Sequence, residues 1–322
     1  MTLSVLIVGL GQIGMGYDLA QDPALLAVTH ARGFSRHDAF RLVGGVDPSG
    51  TRRALFEKHY GAPTFSDAVT AVKSLSPDLV VVAAPTERHC DSVRDVLGAG
   101  RPKAILCEKP LAYGLAEARE IVELCASRDC ALFVNYMRRA DRGVAEVKRR
   151  LAAGSITAPE KAVVWYSKGI FNNGSHFVDL LKHWLGEVIS FEIIASGRVW
   201  DGRDPEPDVV LTFAQGTKAY FLAAREEMFS HYTVELIAGN GRLRYERGGE
   251  EILWQNAITD TAVAGYTILD PVPEVIANDL AYAQWHVADQ LAEYLDGRAG
   301  RICTGVEALR TLEILVAIKE QR

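Results

Sequence analysis

The sequence lacks the features that would take it out of an aqueous, reducing compartment. Its five cysteines (Cys90, Cys107, Cys125, Cys130 and Cys303) form no CxxC pair. An odd count at irregular spacing excludes a disulfide framework or a cysteine zinc site and fits reduced thiols. No run approaches the ~20 apolar residues needed to span a membrane. The apolar stretch from Leu3 to Leu10 has no basic leader and runs straight into a glycine motif. It reads as a strand rather than a secretion signal, and a cytoplasmic location is expected. Positive charge is also short, with 35 Lys and Arg against 41 Asp and Glu and a net charge of −6. That excludes a general nucleic-acid binder, because phosphate backbones are held by clustered cations. The one basic run, Lys148-Arg149-Arg150, lies among helix formers and reads as a solvated helix face. Repeats and low-complexity tracts are absent.

What is present is ordinary globular protein, 48% hydrophobic and 24% charged over 322 residues. At ~150 residues per domain, that length suggests about two domains. In the first third, short apolar runs at Val5–Val8, Arg41–Val46, Leu79–Ala83, Ala104–Cys107 and Ala131–Val134 alternate with helical patterns at Thr51–Tyr60, Ser66–Leu75, His89–Leu97 and Leu115–Ser127. This alternation predicts a doubly wound parallel sheet covered on both faces. After about residue 135 a helix over Asp141–Ala153 is followed by strands at Lys161–Tyr166, Val188–Ala195, Val209–Phe213, Lys218–Ala223, Thr233–Ala238 and Leu243–Tyr245. The fold class expected is therefore α/β, with a Rossmann domain over 1–134. Residues 135–322 are expected to form an α+β domain with a large, mostly antiparallel open sheet. Two helices, near Ala277–Leu295 and Thr304–Lys319, close the chain and are free to pack back on the first domain. Thr304 and Glu307 form a capping-box pattern.

Gly9-Leu10-Gly11-Gln12-Ile13-Gly14 is GxGxxG directly after a buried strand, the context in which that motif binds a dinucleotide. The first glycine permits the turn, the second lets a pyrophosphate approach the backbone, and the third lets the following helix pack on the strand. The acidic partner expected at the end of the second strand is Asp47, which would bind the ribose hydroxyls of NAD and repel the 2′-phosphate of NADP. Asp47 lies 33 residues after Gly14 rather than about 20, and we assign the excess to an insertion, Met15–Val28. Arg52 and Arg53 keep NADP as the less favoured alternative. Pro85, Thr86 and His89 follow the third strand and face the same crevice; a helix-start histidine without a ligand is the equal alternative for His89.

Glu108-Lys109-Pro110 ends the fourth helix-flanked strand run and aims at that crevice. A lysine there could donate to a substrate oxygen as a carbonyl forms, although most lysines are simply surface residues. A second cluster is Asn172-Asn173-Gly174-Ser175-His176-Phe177-Val178-Asp179. His176 opens a helix with an apolar face of Phe177, Leu180, Leu181 and Trp184, and Asp179 lies one turn on. A neutral imidazole can take a hydroxyl proton at physiological pH. Its bland alternative is a structural histidine, the reading given to His183. A metal site at His176 and Asp179 fails on ligand count.

Together GLGQIG, AAPTERH, CEKP and NNGSHFVDLL resemble the glucose–fructose oxidoreductase, inositol dehydrogenase and rhizopine-catabolism (Gfo/Idh/MocA) family over nearly the whole chain. The resemblance implies an NAD(P)-dependent dehydrogenase or reductase acting on the CH–OH groups of sugars, cyclitols or nucleotide-linked sugars. It implies Lys109 and His176 as catalytic residues, with Asn172, Asn173, Asp179 and Tyr136 near the substrate, and a homodimer or homotetramer formed through the C-terminal sheet. Where the family commonly has Asp four residues before the histidine, this chain has Asn172, so either His176 is a weaker base or Asp179 or Lys109 takes part of its task. Tyr136 and Tyr166 are further acid candidates. A catalytically silent NAD-binding sensor or regulatory protein on the same fold is the alternative, supported mainly by Asn172. The insertion and the NNGSH wording look most like members from bacterial surface-sugar or nucleotide-sugar pathways.

Overall fold

The computed structural model describes residues 2–22, 25–224 and 229–322. Pro23 and Ala24 of the expected insertion lie outside the described residues. The chain divides into two units, Met1–Ala140 with Ala281–Leu312, and Asp141–Leu280 with Glu313–Arg322.

The first unit is built on parallel strands β1 (Leu3–Val8), β2 (Phe40–Val46), β3 (Thr64–Phe65), β4 (Leu79–Val82), β5 (Ala104–Cys107) and β6 (Ala131–Val134). Helices α1 (His30–Ser35), α2 (Gly50–Tyr60), α3 (Ala68–Leu75), α4 (His89–Ala99) and α5 (Leu115–Ser127) connect them. Strands β4 and β5 are buried at every position. That is why they read as unbroken apolar runs, for a parallel sheet is covered on both faces. The spatial order β6-β5-β4-β1-β2-β3 reverses direction beside β1, and ligands bind in such sheets outside the strand C-termini at that reversal.

One expectation here is corrected. The glycine motif does not open a long helix. Residues Gln12–Gly16 make a single five-residue π-type turn, and the next α-helix begins only at His30. The intervening segment is tied down by Asp18. Its fully buried carboxylate accepts the Val28 and Thr29 N–H groups at 2.9 and 3.0 Å and the Thr29 hydroxyl at 2.7 Å.

In the second unit, α6 (Arg142–Ala152) starts at Asp141, which caps Gly143 and Val144. Helix α7 (Ser175–Leu185) follows β7 (Pro159–Tyr166). The remaining strands are β8 (Val188–Trp200), β9 (Asp204–Phe213), β10 (Lys218–Ala223), β11 (Thr233–Ala238), β12 (Gly241–Glu246), β13 (Glu251–Thr259), β14 (Thr267–Leu269) and β15 (Glu274–Ile276). They form one sheet in the order β14-β13-β12-β11-β7-β10-β9-β8, with β15 on β13. All its pairings are antiparallel except β7 with β10. Strand β13 escapes the sequence pattern because Glu251, Gln255 and Asn256 interrupt its apolar residues. The basic run on α6 is a solvated face, with Arg149 and Arg150 bound to Glu146 and Arg150 also to Glu274.

The chain then re-enters the first unit. Helix α8 (Ala283–Leu295) places Val287, Ala288 and Leu291 in the core with Val5, Ile7, Phe34, Phe56 and Leu106. A Cβ on Gly33 would lie 2.6 Å from the Gln284 backbone, so α1 and α8 touch through a glycine. Strand β16 (Cys303–Thr304) pairs antiparallel with β6, and α9 (Gly305–Gln321) ends the chain. The capping box is formed. Glu307 accepts the Thr304 N–H at 2.9 Å, and the Thr304 hydroxyl accepts the Glu307 N–H at 3.3 Å. Burial pushes the Glu307 carboxyl up, but the Arg139 guanidinium at 2.7 Å and the Thr304 donors outweigh it and hold the pKa down at about 2. The stabilisation is therefore complete above pH ~4.5 and is lost as pH falls toward 2. Glu307→Gln should cost about 1 kcal/mol at pH 7, the usual scale for a lost cap in a partly exposed site. Urea titrations of the two proteins should converge at pH 2.

Candidate functional site

At the start of the first unit the three motif glycines divide their work. A Cβ on Gly9 would lie 2.5 Å from the Ala83 carbonyl carbon, and one on Gly14 would fall on the Gly9 carbonyl oxygen. Both are therefore demanded by backbone packing. Gly11 has nothing within 4 Å of its Cβ position. That open approach is what a pyrophosphate needs at the second glycine. Gln12 is exposed beside it, and Ile13 is half-buried. These residues fit a dinucleotide.

Asp47 immediately follows β2, but its carboxylate is spent partly on the fold. It accepts the Leu10 N–H at 3.0 Å and the Ser49 N–H at 2.8 Å, with the Arg52 guanidinium at 3.4 Å. The side chain is only 3% exposed. Asp47 thus fixes the glycine loop against β2, and only its remaining lone pairs are available to a ribose. Arg53 turns back onto the Asp47 and Pro48 carbonyl oxygens.

After β4, Pro85 is exposed and Thr86 half-buried. His89 is 1% exposed, with Nδ1 at 3.1 Å from the Leu111 carbonyl oxygen and Nε2 at 3.0 Å from that of Ala84. Burial is the largest influence on it and holds its pKa below the ordinary value, against the pull of both carbonyls and of Glu108. The ring braces the loop after β4 against the one after β5.

That second loop carries Glu108 and the half-buried Lys109, joined to Pro110 by a cis peptide bond. Glu108 is 9% exposed. Its Oε1 takes hydrogen bonds from Asn135 Nδ2 at 2.6 Å and His30 Nε2 at 2.7 Å, and its Oε2 accepts the Lys109 N–H at 3.2 Å. Tyr136, beside Asn135, is 4% exposed. Neither His30 nor Asn135 was among the residues expected from the sequence. His30 lies 78 positions from Glu108, and no local pattern marks it.

In the second unit His176 is the second residue of α7, 8% exposed, and Asp179 on the next turn is 1% exposed. Phe177, Leu180, Leu181 and Trp184 are buried as the apolar face predicts. His183 lies 3.3 Å from the Lys148 ammonium, in keeping with a structural role. A π-type turn, Gly169–Gly174, leads into α7 and is held by two buried carboxylates of β9. Asp204 accepts the Phe171 N–H at 3.0 Å and the Asn172 N–H at 2.8 Å, while Glu206 accepts that of Gly169 at 3.2 Å. Gly169 has φ +81°, and a Cβ there would fall on the Asp204 carboxylate. Asn173 donates to the Tyr232 hydroxyl at 3.1 Å. The sequence did carry a signal for this clamp: Asp204-Pro205-Glu206-Pro207-Asp208 puts three acids on alternate positions of a strand. Tyr166, offered above as an acid, is corrected. It is fully buried, its hydroxyl donates to the Pro207 carbonyl oxygen at 2.6 Å, and burial among Glu206, Asp208 and Asp204 pushes its pKa well up.

The profile described as "Oxidoreductase family, NAD-binding Rossmann fold" (Gfo/Idh/MocA) matches residues 3–136. Residues 3–136 thus match the Gfo/Idh/MocA oxidoreductase family model. An inositol 2-dehydrogenase of Rubrobacter xylanophilus is 33% identical over 182 residues, 50% of this chain and 52% of that protein. The chain thus matches about half the length of that relative. A myo-inositol 2-dehydrogenase of Thermotoga maritima is 25% identical over 74% of this chain and 73% of its own. Among solved structures, a dehydrogenase from Bordetella pertussis in complex with NADH and UDP-GlcNAcA has the same fold. It gives a TM-score of 0.77 at 19% identity, covering 99% of this chain and 95% of the other. Among the described residues, no helix is long and apolar enough to cross a membrane, and no three His, Cys, Asp or Glu side chains are grouped to hold a metal ion.

The clamp on the π-type turn before α7 is open to test. Asp204→Asn leaves one acceptor oxygen for two buried N–H groups and should cost about 2 kcal/mol, read as a lower urea midpoint at unchanged slope.

Proposed function

We propose that the protein is an NAD-dependent dehydrogenase oxidising a secondary alcohol of a sugar-like or cyclitol substrate to the ketone, and reducing it in reverse. The observation that carries this reading is Lys109. It sits at the mouth of a nucleotide-binding sheet on a loop whose backbone is pinned by a buried carboxylate. The inositol dehydrogenases named above supply the substrate class. The Bordetella structure keeps nucleotide-linked sugars in the assay panel.

A bound NAD⁺ would supply the hydride acceptor for the carbinol carbon. Lys109 donates a hydrogen bond to the reacting oxygen and stabilises its charge as the bond order changes. His176 is assigned the role of accepting the hydroxyl proton, and Asn172, Asn173, Asp179 and Tyr136 are the further residues assigned to the substrate. Gly9, Gly11, Gln12, Ile13, Gly14, Asp47, Pro85, Thr86, His89 and Glu108 hold or shape the cofactor site. The five buried free thiols suit a cytoplasmic setting. Exposed Ile189, Ile194 and Val199 on β8 support a homodimer or homotetramer through the second sheet. Light scattering should therefore give two or four times 35.2 kDa.

The test is NADH absorbance across a panel of inositols, aldoses and UDP-sugars. Lys109→Ala should lower kcat by about a hundredfold or more while NADH affinity, read by fluorescence, stays near wild type. Wild-type turnover in that variant removes Lys109 from the mechanism. Tight NADH binding with no turnover on any polyol would instead favour a silent sensor, the reading Asn172 supports. The carboxylate after β2 favours NAD over NADP by at least about tenfold in kcat/KM, equivalent to 1.4 kcal/mol. Steady-state comparison of the two cofactors checks this.

A further inference from the structure

We propose that His30 is a positioning residue for the reaction, acting through Glu108 to keep Lys109 in its ammonium form. The inference rests on the reading of Lys109 as the donor to the reacting oxygen, and it gives the Met15–Val28 insertion a purpose.

The path runs from the insertion inward. Asp18 gathers Val28 and Thr29, and its Oδ1 also lies 3.6 Å from Arg32 Nε. Thr29 caps α1 through the Arg32 N–H. The insertion therefore ends in a fixed helix start whose first residue, His30, is fully buried. At that point Nε2 meets Glu108 Oε1 at 2.7 Å, while Nδ1 has no hydrogen-bond partner among the described residues. The tie to Glu108 is thus the ring's hydrogen bond in this setting, and it joins the helix that follows the insertion to the lysine loop.

A carboxyl group as buried as Glu108 would ordinarily take up a proton, because low-dielectric surroundings penalise its charge. Donors reverse that. Burial pushes Glu108 up, yet His30, Asn135 and the charge of Lys109 together hold it below the ordinary glutamate value. Two further titratable groups feel its charge: His89, whose two nitrogens face carbonyl oxygens, and the Cys107 thiol, which burial pushes well up. Neither competes for the charge. The Glu108 carboxylate lies against Lys109, accepting its backbone N–H at 3.2 Å, and feels its charge; an ammonium is the form that donates most strongly to a developing alkoxide. Without the His30 donor the sign is clear: Glu108 takes a proton more readily, the counter-charge fades, and Lys109 loses its proton at lower pH.

Trace acetic anhydride labelling of the whole protein, read at Lys109 by mass spectrometry across pH, reports that lysine's protonation without any substrate. His30→Leu should label about tenfold faster at pH 8, one pKa unit, and its kcat–pH profile should shift down by the same unit with little change in KM for NAD⁺. His30→Gln, whose amide can donate to Glu108, should return both to wild type. Should His30→Leu not fold, Glu108→Gln must produce the same faster labelling. Wild-type Lys109 labelling in a folded His30→Leu or in Glu108→Gln overturns the proposal. Failure of the dehydrogenase reading shows elsewhere, as undiminished turnover in Lys109→Ala, and leaves the labelling result interpretable.

Discussion

A buried carboxylate must be given hydrogen-bond donors or lose its charge, and this protein uses that requirement to hold its loops. Asp18, Asp47, Glu108, Asp141, Asp204 and Glu206 are all at most 9% exposed, and each accepts at least one backbone N–H from a turn or loop. Apolar packing fills the sheets but gives little direction to a loop. A carboxylate with two oxygens and several lone pairs fixes two or three N–H vectors at once. The glycine motif, the lysine loop and the turn before α7 are each set this way, by a different acid.

This economy also explains the mixed character of Asp47 and Glu108. Both stand where a ligand is expected, and both are committed to the backbone. Ligand recognition and loop geometry are then not separable at those positions, and replacing either acid moves the chain as well as the contact.

How much could be read from the residues follows from the range of the interactions. Strands β4 and β5 announced themselves because parallel strands are covered on both faces and stay apolar throughout. The apolar face of α7 and the capping box of α9 were legible because both are local, three or four residues long. Helix α1 was not, since six residues including Gly33 carry no readable period. Nor was the His30–Glu108 contact, whose partners lie 78 residues apart, or the Asp204 clamp, 32 residues from Asn172. The turn that replaces a long helix after Gly14 was hidden for a related reason. The glycines permit both outcomes, and the decision is made by Asp18 gathering the chain at Val28 and Thr29.

The return of α8 into the first unit has a consequence for biogenesis. Val287, Ala288 and Leu291 complete a core begun at Val5, so the growing polypeptide exposes that apolar surface until α8 has been made. The nucleotide-binding half cannot close vectorially behind the ribosome, as an N-terminal domain commonly does. Its nascent form is the species most in need of a chaperone.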